Sequence, residues 1–201
     1  MATRVIDDSK LQNIAVAIQG KDGGGTMTVD QMPTRIAAIP TQDNTTLNAL
    51  IDRSITSIES SEVTSIGPYA FCSCTSLTSV SLPNATRINS YAFNNCAQLA
   101  SVSLPNATSI ENSAFSYSTK LASVSLPNAT RIEGKAFAGC TQLASVSLGK
   151  RATLSSSNAF NDANRAIIYV QPEDLTWYST ATNWSALYTA GRIKSIEELP
   201  T

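Results

Sequence analysis

Ser79–Thr86 reads SVSLPNAT, and the same eight letters return at Ser101–Thr108 and Ser123–Thr130. Outward from this stretch the apolar positions keep one interval. Leu82, Leu104, Leu126 and Leu148 each follow the last by 22 residues. Ile58, Val80, Val102, Val124 and Val146 hold a second phase, and Ile55, Leu77, Leu99, Leu121 and Leu143 a third. Phe71, Phe93, Phe115 and Phe137, each after an alanine, hold a fourth, and Ile66, Ile88, Ile110 and Ile132 a fifth. A fixed period between about 20 and 50 residues signals a stacked array. One unit cannot bury its own apolar face, but neighbours in a stack bury a continuous core.

Within each unit L-x-x-V-x-L alternates with serine, which is strand periodicity. Pro83, Pro105 and Pro127 then stop the strand, because proline has no N–H for a ladder. The repeated letters therefore read as a strand and its exit turn. Strands stack about 4.8 Å apart, so roughly five coils make a rod section about 24 Å long. Two serine ladders are expected on its exposed face: Ser79, Ser101, Ser123 and Ser145, and Ser81, Ser103, Ser125 and Ser147. After Leu148 the phase slips, and Ala159-Phe160 arrives one residue late.

The unit LPNATRIEGKAFAGCTQLASVS resembles the BspA-like leucine-rich repeat, with its AF…C…L signature, from about Ile55 to Phe160. The resemblance implies an α/β repeat solenoid of 22-residue units with parallel strands. LPNA stands where longer leucine-rich repeats place Asn or Cys after the strand. The tail IYVQPEDLTWYSTATNWSALYTAGRIKSI is similar to segments in which a strand and short helix close such arrays. SKLQNIAVAIQGKDGGGTMTVDQMPTRIAAI resembles a small module of tail proteins from phages and prophages of Gram-positive gut bacteria. Together these resemblances imply a tail-tip or fibre protein that displays its array outward.

Three parts follow. Residues 1–43 are expected to form a helical attachment hairpin and linker, residues 44–166 the solenoid, and residues 167–201 a cap. In the hairpin Leu11, Ile14 and Ile18 share one helical face, and Met32, Ile36 and Ile39 another. So small a core must dock on its own chain, a sister chain or a larger particle. Trp177, Tyr178, Trp184 and Tyr188 gather in the last segment. They read as a hydrophobic cap over the last coil or as an aromatic platform for sugar rings.

Composition excludes much. The net charge of −1 offers no basic field for nucleic acid, and no run of 18 apolar residues is present to insert in a membrane. MATRVIDDSKLQ at Met1–Gln12 has no apolar signal-peptide core, which reads as a protein kept in the cytoplasm until virion assembly. Histidine is absent, so no Ser-His-Asp triad can form. GKDGGGT at Gly20–Thr26 lacks the ending of a phosphate loop. Glu111 and Glu133 share a phase and read as a solvated, mildly repelling pair; a glycoside-hydrolase site built on them is the remote alternative. No cofactor is expected, and no metal, since metal-ligand spacing is missing.

Cys74, Cys96 and Cys140 share a phase with Ser118 and read as small buried residues, with a Cys74–Cys96 bridge as the alternative. Asn84, Asn106 and Asn128 match a glycosylation sequon but sit in the exit turn, where asparagine suits backbone hydrogen bonding. The phases that vary from unit to unit carry residues the stack does not dictate. They single out Arg87, Tyr91, Tyr117, Arg131 and Lys135 as a candidate binding surface. The expected function is non-catalytic display or receptor binding in a phage tail. The partners would be tail or baseplate components and a host-surface glycan or protein, and a homotrimer is the assembly implied by analogy with tail fibres. A bacterial cell-surface adhesin is the alternative.

Overall fold

The computed structural model describes residues 55–61 and 63–200, with the backbone of Val5–Ile6. Each coil contributes a strand from the SVS stretch: β2 (Ser57–Glu59), β4 (Ser79–Ser81), β6 (Ser101–Ser103), β8 (Ser123–Leu126) and β10 (Ser145–Leu148). They pair in parallel, serine against serine and valine against valine: Ser79 meets Ser101, and Val146 meets Val124. β1 (Val5–Ile6) pairs with β2 at one end. At the other end β12 (Ile167–Val170) and β13 (Ile193–Ser195) bring the described sheet to eight strands. The serine ladders are exposed or half-exposed, as alternation requires.

A second parallel sheet runs along the coils: β3 (Ser65–Ile66), β5 (Arg87–Ile88), β7 (Ser109–Ile110), β9 (Arg131–Ile132) and β11 (Thr153–Leu154). Its isoleucines point inward and are buried. The threonine before each strand locks neighbouring coils together. Thr86, Thr108 and Thr130 donate their hydroxyls to the carbonyls of Thr64, Thr86 and Thr108, at 3.2, 3.0 and 3.3 Å. The sequon asparagines also act between coils rather than within their own turns. Asn84, Asn106 and Asn128 each donate a side-chain amide to the preceding coil, to the carbonyls of Ser61, Pro83 and Pro105.

The third side is a layer of turns around the Ala-Phe pair. In one coil the N–H groups of Tyr69, Phe71 and Ser73 donate to the carbonyls of Ser90, Ala92 and Asn94 in the next, at 3.1, 2.8 and 2.7 Å. The same bonds recur at Tyr91, Phe93 and Asn95. Inside, Phe71, Phe93, Phe115, Phe137 and Phe160 stack with ring centroids 5.4–5.6 Å apart and planes within 9° of parallel. The cysteine phase hydrogen-bonds to the same layer. Cys96 and Cys140 donate S–H to the carbonyls of Phe71 and Phe115, both at 3.1 Å, and Ser118 donates its hydroxyl to Phe93 at 3.0 Å. The phase therefore selects a small donor, which is why serine can replace cysteine there. No disulfide joins the four cysteines. Burial pushes the thiol of Cys140 up to about 12 and that of Cys96 higher still.

The late arrival of Phe160 is a local insertion. Thr153 still pairs with Arg131, and Ile167 still pairs with Ser145. Between them a 3-10 turn at Ser157–Phe160 takes up the extra residue. Lys135 N–H, which would meet a backbone carbonyl in a regular coil, donates instead to Oδ1 of Asn158 at 3.1 Å. The hairpin residues Leu11, Ile14, Ile18, Met32, Ile36 and Ile39 lie outside the described residues.

Candidate binding face

The variable positions fall on two sides of the coil, the second sheet and the turn layer. Arg87 and Arg131 project from the second sheet, where each holds a glutamate. Arg87 Nε meets Glu111 Oε1 at 2.7 Å, and Arg131 pairs with Glu133, two residues further on in its own coil. This corrects the reading of Glu111 and Glu133 as a mutually repelling pair: each carboxylate has a guanidinium partner. The Glu133 carboxyl lies below its ordinary value, chiefly through a hydrogen bond from Ser155 and then through Arg131, with burial opposing.

Tyr91, Lys135 and Tyr117 lie on the turn layer. Its backbone is dictated even where its side chains vary. Tyr69, Tyr91, Ser113 and Lys135 have φ of +58°, +60°, +56° and +58°, and Ser73, Asn95, Tyr117 and Gly139 have +58°, +57°, +61° and +72°. This left-handed region suits Gly, Asn and Asp and is a genuine outlier for a bulky residue. Tyr69 and Tyr91 offset it by stacking, with centroids 4.7 Å apart and planes 3° from parallel. The Tyr69 hydroxyl is raised above its ordinary value, first by partial burial and then by Tyr91. Among the described residues Tyr117 has no such ring neighbour; it lies across Gly139, where an added Cβ would stand 2.6 Å from its Cδ1 and 3.0 Å from its Cε1. With 57% of its surface open, Tyr117 is the most exposed large hydrophobic side chain among the described residues. The neighbouring Lys120 Nζ donates to Gln98 Oε1 at 2.6 Å, and Asn95 Nδ2 donates to Ser73 Oγ at 3.3 Å.

The aromatic residues of the last segment divide differently. It carries two short helices, α1 (Leu175–Thr180) and α2 (Ser185–Thr189). Trp184 and Tyr178 are fully buried, so the sugar-platform alternative does not hold for either ring. Trp184 continues the phenylalanine column, 6.2 Å from Phe160, and its Nε1 donates to the Ala152 carbonyl at 2.7 Å. Tyr178 packs edge-on against Trp184, accepts from Ala152 N–H and donates to the Lys150 carbonyl. Burial raises the Tyr178 hydroxyl to about 12. Trp177 is half-buried beneath the Arg151 guanidinium, which Asp174 holds at 2.6 Å. Tyr188 is exposed.

No group of three or more His, Cys, Asp or Glu among the described residues could hold a metal ion. No described helix is long and apolar enough to cross a membrane.

Stacked 22-residue coils, an inward leucine phase and a phenylalanine spine define a leucine-rich repeat solenoid. The chain belongs to the BspA type leucine rich repeat region family, whose repeat matches six times over residues 47–176. No curated protein matches it. Among solved structures it is similar to a leucine rich cell surface protein of Faecalibacterium prausnitzii, with 23% identity and a TM-score of 0.43 over 58% of this chain and 39% of that one. The pneumococcal vaccine antigen PcpA gives 16% and 0.48 over 67% and 38%. A leucine-rich repeat protein of Bacteroides ovatus gives 23% and 0.42 over 59% and 40%. The match thus spans about two-fifths of each of these longer structures.

Proposed function

We propose that this chain is a non-catalytic recognition module that meets its target with the edge formed by the turn layer. One observation carries the reading. The residues that differ between otherwise near-identical coils (Tyr69, Tyr91, Asn95, Tyr117, Lys135) converge on one edge, in left-handed backbone positions that favour glycine or asparagine over tyrosine and lysine. The serine face is nearly invariant from coil to coil, with its charges on the end strands at Glu59 and Lys194, so it offers little with which to tell one target from another. The Arg87–Glu111 and Arg131–Glu133 pairs flank the edge as paired charge.

The finer reading is a tail-tip or fibre component of a phage or prophage. Residues 1–43 would join it to tail or baseplate components, and the array would face a host-surface glycan or protein. Its support is the sequence of residues 9–39. The test has two arms. Washed Gram-positive gut bacteria should retain the full chain and fail to retain a Tyr69→Ser, Tyr91→Ser, Tyr117→Ser variant of unchanged melting temperature; equal retention would end the edge proposal. Peptide mass spectrometry of density-purified phage particles induced from the source strain should find IEGKAFAGCTQLASVSLGK. Its abundance in the cell-surface fraction instead would make the module an adhesin.

A further inference from the structure

The repeat prices each residue of the turn layer against its neighbours, and Tyr117 stands out. Its phase is otherwise filled by Ser73, Asn95 and Gly139. Asparagine and glycine enter the left-handed region at little cost. A tyrosine there is strained unless its surroundings compensate. Tyr69 and Tyr91 are compensated by stacking and half-burial. Tyr117 is 57% exposed, so it regains little by burial. The next coil carries glycine in the same phase, and a Cβ there would collide with the Tyr117 ring at 2.6 Å. Gly139 thus provides the seat on which that ring rests, with much of the ring left open to solvent.

Its neighbours in the stack are polar, and the ammonium of Lys120 is held by the neutral amide oxygen of Gln98 at 2.6 Å. They comprise the amide of Asn95, the hydrogen-bonded Gln98–Lys120 pair and the buried Ser116. A protein partner needs about 800 Å² on each side with an apolar, desolvated centre. One aromatic ring among amides does not supply that centre. Such a ring does suit the apolar face of a pyranose, with neighbouring amides to hydrogen-bond its hydroxyls.

We propose that Tyr117, seated on Gly139, is a stacking platform for a neutral glycan, with Asn95, Gln98 and Lys120 as its polar surround. The proposal rests on the recognition reading above and gives that edge a ligand class. The test uses the full chain on a printed array of neutral and acidic oligosaccharides. The neutral oligosaccharide with the strongest signal then serves as the probe for titration calorimetry. Tyr117→Ala should weaken that binding by about tenfold or more, the scale of one lost aromatic contact. Tyr117→Phe keeps the ring face and should stay within about threefold of the unchanged chain. Tyr188→Ala, at the exposed ring of the cap, should change nothing. Gly139→Ala should displace the ring and match Tyr117→Ala, while circular dichroism checks that both variants fold. Neutral-glycan binding that is indifferent to Tyr117→Ala overturns the proposal. So does cell binding that needs Tyr117 but is abolished by protease and unaffected by periodate, an outcome that leaves the recognition reading standing with a protein as target. A chain that binds neither cells nor glycans defeats both.

Discussion

Removing the central ring of the phenylalanine column, Phe115→Ala, tests whether that column is the spine of the stack. Phe115 is fully buried, with Phe93 at 5.4 Å and Phe137 at 5.6 Å on its two faces. A buried Phe→Ala change costs about 3–5 kcal/mol through lost transfer energy and the cavity left behind. Each aromatic pair adds about 0.5–1.5 kcal/mol, so this site belongs at the upper end of that range. Total stability for a domain is about 5–15 kcal/mol, so the variant should remain folded but marginal. At this chain length each kcal/mol lowers the melting temperature by about 2–4 °C, which predicts a drop of roughly 10–20 °C. Phe115→Leu keeps most of the volume and should cost about 1.5 kcal/mol. Urea denaturation followed by circular dichroism reads both. A nearest-neighbour stack also predicts a broader or biphasic transition for Phe115→Ala, because the two halves lose their coupling. A Phe115→Ala protein within about 1 kcal/mol of the unchanged chain, with one sharp transition, would refute the spine.

Three further outcomes follow from the same geometry. Cys140→Ser should be nearly neutral, since Ser118 already makes the equivalent bond, whereas Cys140→Val removes one of the two hydrogen bonds to the Phe115 carbonyl, leaving that from Ser118 N–H at 3.1 Å, and should cost about 0.5–1.5 kcal/mol in a denaturant titration. Trp184→Phe removes the donor to the Ala152 carbonyl and should destabilise by a similar amount, read as a lower urea midpoint. The lowered Glu133 carboxyl contributes stability that is present above the unfolded value of about 4.3 and is lost as pH falls through its lower folded value. Because its Arg131 partner is largely exposed, the contribution is under about 1 kcal/mol. Glu133→Gln should therefore lower the midpoint slightly at pH 7 and leave it unchanged near pH 3.

The fold was legible because the 22-residue phases of leucine, valine, isoleucine and phenylalanine all agree, and a stack has one way to satisfy them together. The second sheet was harder to see. Its strands are two residues long, and a serine or arginine followed by an isoleucine gives too short a run to show alternation. The cysteine phase looked apolar because its hydrogen bond runs to a carbonyl 25 residues earlier. Serine at position 118 was the available clue. For the candidate site, variation between repeats singled out positions on the turn layer but not their conformation. Left-handed backbone is set by the turn, and tyrosine or lysine there gives no local sign of it. Gly139 in the phase of Tyr117 was the signal that could have exposed the pair. The pairing of Arg87 with Glu111 crosses from one coil to the next, so linear spacing suggested repulsion between Glu111 and Glu133 where the structure places ion pairs.

The central claim is that the turn edge, not the serine face, meets the target. Hydrogen exchange of the full chain, with and without envelope preparations of Gram-positive gut bacteria, tests it most directly. The account predicts slowed exchange in peptides covering residues 91–95, 113–117 and 135–139, with residues 101–103 and 123–126 unchanged. Protection confined to the serine strands would contradict it.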